Sequence, residues 1–135
     1  MNGDAPLNAG SCVLVVDRMA ESREVLRMAL ARLGVRIVEA PLAGDALTMA
    51  RLHQPNVMVV DLESSEVTDQ CAVEFAGLAE DNGSTVIFLG NELRAHGISK
   101  CHRGPHCDFI AKPYHYRPLV LKIEKSLRQR HARAA

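Results

Sequence analysis

The stretch that decides the fold is 12-CVLVVDRMAESREVLRMALARLG-34. Residues 12–17 are a short apolar, β-branched run that ends in Asp17, continuous enough for a strand buried on both faces. After it Leu26, Leu30 and Leu33 recur at i, i+4 and i+7, as one face of a helix requires. Gly34 closes that helix.

Outward from this stretch the alternation continues. Residues 35–39 read as a second strand, and Ala43, Ala46, Leu47 and Ala50 line a second helix that ends before Pro55. Residues 56–61, NVMVVD, are another buried strand ending in an acid. Residues 71–79 form a third helix, 85–89 (TVIFL) a fourth strand, roughly 92–100 a weaker helix, and 108–111 a short fifth strand. Leu119, Val120, Ile123 and Leu127 mark a final amphipathic helix, with Pro118 comfortable in its first turn. Five strands alternating with five helices imply an α/β fold: a doubly wound parallel sheet with helices on both faces. In such folds ligands gather at the carboxyl ends of the strands.

A chain of 135 residues, 47% apolar and 24% charged, fits one globular domain with a real core. The expected organisation is a flexible N-terminus over 1–11, the domain over 12–128 and a basic tail over 129–135. No apolar run approaches a transmembrane length and no secretion signal opens the chain, so a cytoplasmic protein without membrane insertion is expected. Cys12, Cys71, Cys101 and Cys107 form no disulfide framework, and Cys12 and Cys71 read as core residues.

Charge is polarised along the chain. Residues 1–93 carry 6 Lys and Arg against 14 Asp and Glu, whereas residues 94–135 carry 10 against 2. Such a basic end invites an anionic partner. A solvated helix face explains Lys122, Lys125 and Arg128; it does not explain the arginine, histidine and tyrosine crowded into 100-KCHRGPHCDFIAKPYHYRPL-119.

Arginine's planar fork suits phosphate oxygens or the O6 and N7 edge of guanine, and tyrosine and arginine planes stack on bases. Asp108 can accept hydrogen bonds from the guanine N1 and N2 donors. A ligand with two guanines and two phosphates would use several of these groups at once, so cyclic di-GMP is the expected ligand. No P-loop or dinucleotide-binding glycine fingerprint occurs. Zinc is not expected, because the adjacent pairs Cys101-His102 and His106-Cys107 around a short turn cannot easily present four side chains tetrahedrally. DNA is not expected either, since no nucleic-acid-binding module is present.

The strand ends carry Asp17, Asp61, Gly90 and Lys112. With them VLVVDRMAESREVLRMALARLG, PNVMVVD, TVIFLGN and DFIAKPY, the chain resembles a CheY-type response-regulator receiver domain over roughly residues 12–128. That resemblance implies a flavodoxin-like strand order of 2-1-3-4-5. It implies a phosphoacceptor position at Asp61, a phosphoryl-contacting lysine at Lys112 and a switch aromatic at Phe109. The family holds Mg²⁺ with two acids after the first strand; only Asp17 stands here, beside Arg18. The family's Ser or Thr after the fourth strand is replaced by Gly90.

Mg²⁺ prefers several oxygen ligands, and an arginine in its pocket repels it and can itself pair with Asp61, so Mg²⁺ is not expected. Asp17, Arg18, Asp61 and Lys112 can instead form a buried ion network that holds the strand ends together.

A receiver with a degenerate pocket and an arginine-rich stretch in this location further resembles the Cle group of CheY-like cyclic di-GMP effectors. On that resemblance Arg103 and Arg117 would grip phosphate or guanine, Tyr114 or Tyr116 would stack and Asp108 would read a guanine edge. His106, Arg128 and Arg130 complete the candidate set. The partner would be a flagellar motor switch component, with recruitment to the flagellar pole. A binding switch rather than an enzyme is expected. The alternatives are a response regulator phosphorylated at Asp61 and a receiver that works through protein docking alone.

Overall fold

The structure is a computed structural model and describes residues 10–63, 66–91, 93–94 and 104–134. Its strands are β1 (Cys12–Val16), β2 (Arg36–Ala40), β3 (Val57–Asp61), β4 (Thr85–Gly90) and β5 (Cys107–Ala111). Among the described residues there are four α-helices: α1 (Ala20–Leu30), α2 (Ala43–His53), α3 (Asp69–Asn82) and α4 (Tyr116–Ala134). A short 3₁₀ turn (Ala31–Leu33) follows α1. The strands form one parallel sheet in the order β2-β1-β3-β4-β5, as the resemblance implied.

Successive strand side chains point to opposite faces, and this divides the apolar residues into two cores. Leu14, Val16, Met58, Val60, Val86 and Phe88 pack with Ala46, Ala50, Phe75 and Ala79 of α2 and α3. Val13, Val15, Val57, Val59, Ile87 and Leu89 pack with Leu26 and Leu30 of α1 and with Leu119, Ile123 and Leu127 of α4. The central strands are therefore apolar on both sides, which is why they read as unbroken runs rather than as alternating ones. Cys12 is buried in β1 and Cys71 is half-buried against the α2/α3 core.

Several element ends differ from expectation, each for a local reason. The third helix is longer than 71–79 because the Thr68 side chain caps it, accepting from the Cys71 N–H at 3.1 Å, and Gly83 ends it in the left-handed conformation (φ 66°). Gly34 ends the first helical segment in the same way (φ 70°). The last helix begins at Tyr116 and stays helical through Ala134, past the tail boundary set at residue 128. Its run of Lys, Arg, Leu, Gln and Ala consists of strong helix formers, so propensity carries the turn onward. The helix expected over 92–100 lies outside the described residues except for Leu93 and Arg94, and residues 1–9 lie outside them too. Among the described residues no helix is long and apolar enough to cross a membrane.

Phe88 is 0% exposed at the centre of one core and stacks on Phe109, ring centroids 5.7 Å apart. Phe88→Ala is expected to lower the unfolding free energy by about 3–5 kcal/mol. Leu121→Ala, at a side chain 48% exposed, is expected to change it by less than about 0.5 kcal/mol. Urea denaturation of the two variants checks the contrast.

Candidate functional site

Because β1, β3 and β5 run parallel, their carboxyl ends bring Asp17, Asp61 and Lys112 to one edge of the sheet. Asp61, the last residue of β3, is 3% exposed, and Asp17 is 6% exposed. Lys112 Nζ donates to Asp61 Oδ2 at 2.7 Å. The other oxygen, Asp61 Oδ1, accepts from the Glu63 N–H at 2.9 Å, and Asp17 Oδ1 accepts from the Met19 N–H at the same distance. A buried carboxylate persists only when charge and hydrogen bonds are supplied together, and Asp61 has both.

Arg18 does not join this network. Its side chain is 63% exposed and reaches Glu66 at 3.6 Å, so the expected pairing with Asp61 is corrected. Lys112 already matches the charge of Asp61, and a guanidinium left at the surface keeps its hydration. Arg23, which the sequence reading passed over, does the inward work instead. It donates to the Asp17 and Arg18 carbonyls at 2.7 and 3.2 Å and to Glu39 at 3.1 Å, fixing the loop after β1.

Gly90, the last residue of β4, stands against Leu62. A Cβ built there would lie 3.2 Å from Leu62 Cδ1 and 3.3 Å from its Cβ, so a Ser or Thr would need Leu62 to give by a few tenths of an ångström. Phe109 is half-buried on β5 against the α2/α3 core. Arg94 ties the loop after β4 to the loop after β3: its guanidinium donates to the Leu62 carbonyl at 3.2 Å and to the Val67 carbonyl, and it pairs with Asp69 at 3.6 Å. Asn91 accepts from the Arg94 N–H at 2.8 Å while its own N–H donates to Glu63 at 2.5 Å. Only the Asn91 cap had a local signal; the reach of Arg94 across the fold had none.

Two carboxylates, Asp17 and Asp61, are the acids that the strand ends bring to this edge. Asp17 and Asp61 each have one oxygen engaged by a backbone N–H, an internal ammonium stands on the second oxygen of Asp61, and a third acid is replaced by Arg18. Among the described residues, no group of three or more His, Cys, Asp or Glu side chains is gathered as a metal site.

The basic stretch divides around α4. Along β5, Asp108 and Ile110 face α4, and Cys107 and Phe109 face the opposite core. Asp108 Oδ2 accepts from Lys122 Nζ at 2.7 Å, and Oδ1 accepts from the Phe109 N–H at 2.8 Å. These groups line a cleft of about 380 Å³ with Gly104, Pro105, Lys125 and Gln129. His106 Nδ1–H donates to the Ser84 carbonyl at 2.8 Å, which anchors the turn before β5 to the start of β4. Burial first, and then the Asp108 carboxylate, push the Cys107 thiol up to about 11, so it stands as the neutral thiol at neutral pH. Cys101, His102 and Arg103 lie outside the described residues.

Tyr114 and Tyr116 meet edge to face with ring centroids 5.5 Å apart. Tyr114 is half-buried, and its hydroxyl is held well above its ordinary pKa by burial first, then by Tyr116, Asp17 and Asp61. It therefore sits beside the acid pocket. Tyr116 and Arg117 line a separate groove of about 430 Å³ with Ala29, Arg32, Val120 and Leu121, between α1 and α4. Arg128 pairs with Glu124 at 3.4 Å. It stands eleven residues from Arg117, about 16 Å along the helix axis. The side chain of Arg130 lies outside the described residues. Asp108 is thus brought near Lys122 and Lys125 and His106 is bonded to Ser84, while Tyr116 and Arg117 share another cleft.

No protein-family model matches the sequence, and no curated protein does. Solved structures match strongly. A signal receiver domain of an HD domain-containing protein from Pseudomonas fluorescens superposes with a TM-score of 0.74 at 16% identity, covering 99% of this chain and 98% of that one. A CheY-like receiver from Methanospirillum hungatei gives 0.74 at 18% identity, over 93% and 98%. A chemotaxis response regulator of Vibrio cholerae gives 0.71 at 17% identity, over 86% and 98%. The chain has the CheY-like receiver fold, and these structural neighbours are response-regulator receiver domains.

Lys112→Met removes the ammonium that stands 2.7 Å from Asp61 Oδ2. Because the lysine side chain is 28% exposed, the expected loss of stability is about 1–3 kcal/mol rather than the larger value of a fully buried pair. Adding Asp61→Asn should restore part of it, giving a coupling of about 1 kcal/mol in a double-mutant cycle read by urea denaturation.

Proposed function

We propose that this chain is a non-catalytic signalling protein whose receiver fold takes cyclic di-GMP at its basic C-terminal third and then engages a protein partner. The partner is a component of the flagellar motor switch, met in the cytoplasm and at the flagellar pole. The observation that carries the reading is the contrast between two carboxylates. Each accepts from a lysine and a backbone N–H, but the Asp61 side chain is 5% exposed under Lys112, whereas that of Asp108 is 45% exposed in an open cleft beside Lys122 and Lys125. The first favours a closed structural pair; the second offers an acceptor for guanine donors with cations at hand for phosphate. The resemblance of the stretch from Arg103 to Pro118 to cyclic di-GMP effectors supports the same ligand.

A second reading, phosphorylation at Asp61, is supported by the resemblance, which assigns Asp61, Lys112 and Phe109 to receiver roles, and by the Lys112–Asp61 contact at 2.7 Å. Against it stand the single acid, Asp17, after β1 and the missing hydroxyl at Gly90, whose Cβ position lies tight against Leu62. Phosphoryl transfer depends on metal neutralisation of phosphate charge.

Isothermal titration calorimetry with cyclic di-GMP, and with GTP as the control, tests the reading. Selective binding of the dinucleotide is expected. Arg103→Ala should weaken it by about 10–100-fold, the loss of one or two charge-assisted hydrogen bonds. Asp61→Asn should leave it within about threefold, since distant sites act independently. Equal binding of GTP, or loss of binding in a well-folded Asp61→Asn variant, would contradict the proposal.

A further inference from the structure

We infer that Lys122 is the gate of the cleft beside β5: it holds Asp108 while the cleft is empty and moves to a phosphate when a guanine takes Asp108. This rests on the cyclic di-GMP reading and names the residue that regulates that site. Lys122 was assigned from sequence to a solvated helix face. In the fold it makes a 2.7 Å ion pair with the carboxylate expected to read guanine.

The geometry makes the exchange inexpensive. Both side chains are partly exposed, 40% for Lys122 and 45% for Asp108, so neither charge loses much hydration when the pair opens. The lysine ammonium sits on a flexible four-carbon stem and can swing without moving the helix. Asp108 Oδ1 is already oriented by the Phe109 N–H at 2.8 Å, which keeps the carboxylate in place after Lys122 leaves. Only Oδ2 changes partner. Guanine presents two N–H donors on one edge and can replace an ammonium there; adenine presents an acceptor at N1 and meets the carboxylate with like polarity.

The released ammonium has somewhere to go. Lys125 lines the same cleft, so once a base neutralises the demand of Asp108, two cations face the ligand where one carboxylate had held one of them. Ser126 and Thr85 add hydroxyls to the walls. The volume, about 380 Å³, is at the low end of small-molecule sites and suits one guanylate half of the dinucleotide. His106, bonded to the Ser84 carbonyl, is a positioning residue that holds the turn forming the rim.

The gate gives opposite signs for two probes, which a merely structural role does not. In the full chain Lys122→Met removes the competitor for Asp108 together with a phosphate cation. Cyclic di-GMP should then bind about tenfold more weakly. Guanosine, which has no phosphate, should bind more tightly than to the unmodified protein. Calorimetry reads the first and amide NMR titration the second. Lys122→Arg should retain most of the affinity, and Asp108→Asn should lose the preference for cyclic di-GMP over cyclic di-AMP. Circular dichroism confirms folding of each variant. If the unmodified protein binds cyclic di-GMP but Lys122→Met changes neither probe, or weakens both alike, the gate is wrong while the ligand reading stands. If the unmodified protein binds no cyclic di-GMP, both fall.

Discussion

Asp61 ends the central strand as a charged group beneath the surface, and the end of β5 and the turn after β3 both supply what keeps that charge satisfied. An uncompensated carboxylate at such depth would cost several kcal/mol. Lys112, arriving from the end of β5, supplies the charge at 2.7 Å, and the Glu63 N–H supplies a further hydrogen bond. The two ends of the sheet edge are thereby linked across β4. Arg23 and Arg94 then pin the loops after β1 and β3 through backbone carbonyls. The result is a closed edge, tied together by cations that belong to the chain itself.

At this edge the Asp61 carboxylate already holds an internal ammonium and a backbone N–H. Among the described residues, the cation-rich part of the chain lies elsewhere, along α4. There the ion pairs are partly exposed, and exposed pairs are worth little, so they exchange partners readily. Tight pairs where the fold needs rigidity and loose ones where a ligand is to be admitted are two uses of the same charges. A ligand that orders groups near α4 can change what that helix presents to another protein only by binding one arrangement better than the other.

Much of this was legible in the chain. Apolar runs ending in acids marked β1 and β3, helical spacing marked α1 and α2, and Asp61 and Lys112 fell at strand ends as the resemblance implied. What escaped was the reach of long side chains. Arg18 looked placed for the acid pocket but turns to Glu66, because a neighbour in sequence can leave on the opposite side of a loop. Arg23, Arg94 and Lys122 meet partners 5 to 32 positions away through the fold, and no spacing rule announces such contacts. The helix end at Ala134 was missed since basic residues read as a tail when their helix propensity is left uncounted.

The central claim is that input has moved from the acid edge to the basic cleft, and amide NMR shift mapping of the full chain tests it directly. Cyclic di-GMP should shift amides around Gly104–Asp108 and from Lys122 to Gln129 of α4, while beryllofluoride with Mg²⁺, a mimic of the phosphoryl group, should leave Asp17, Asp61 and Lys112 unmoved. Strong shifts at Asp61 and Lys112 with beryllofluoride, and none in the cleft with cyclic di-GMP, would contradict it.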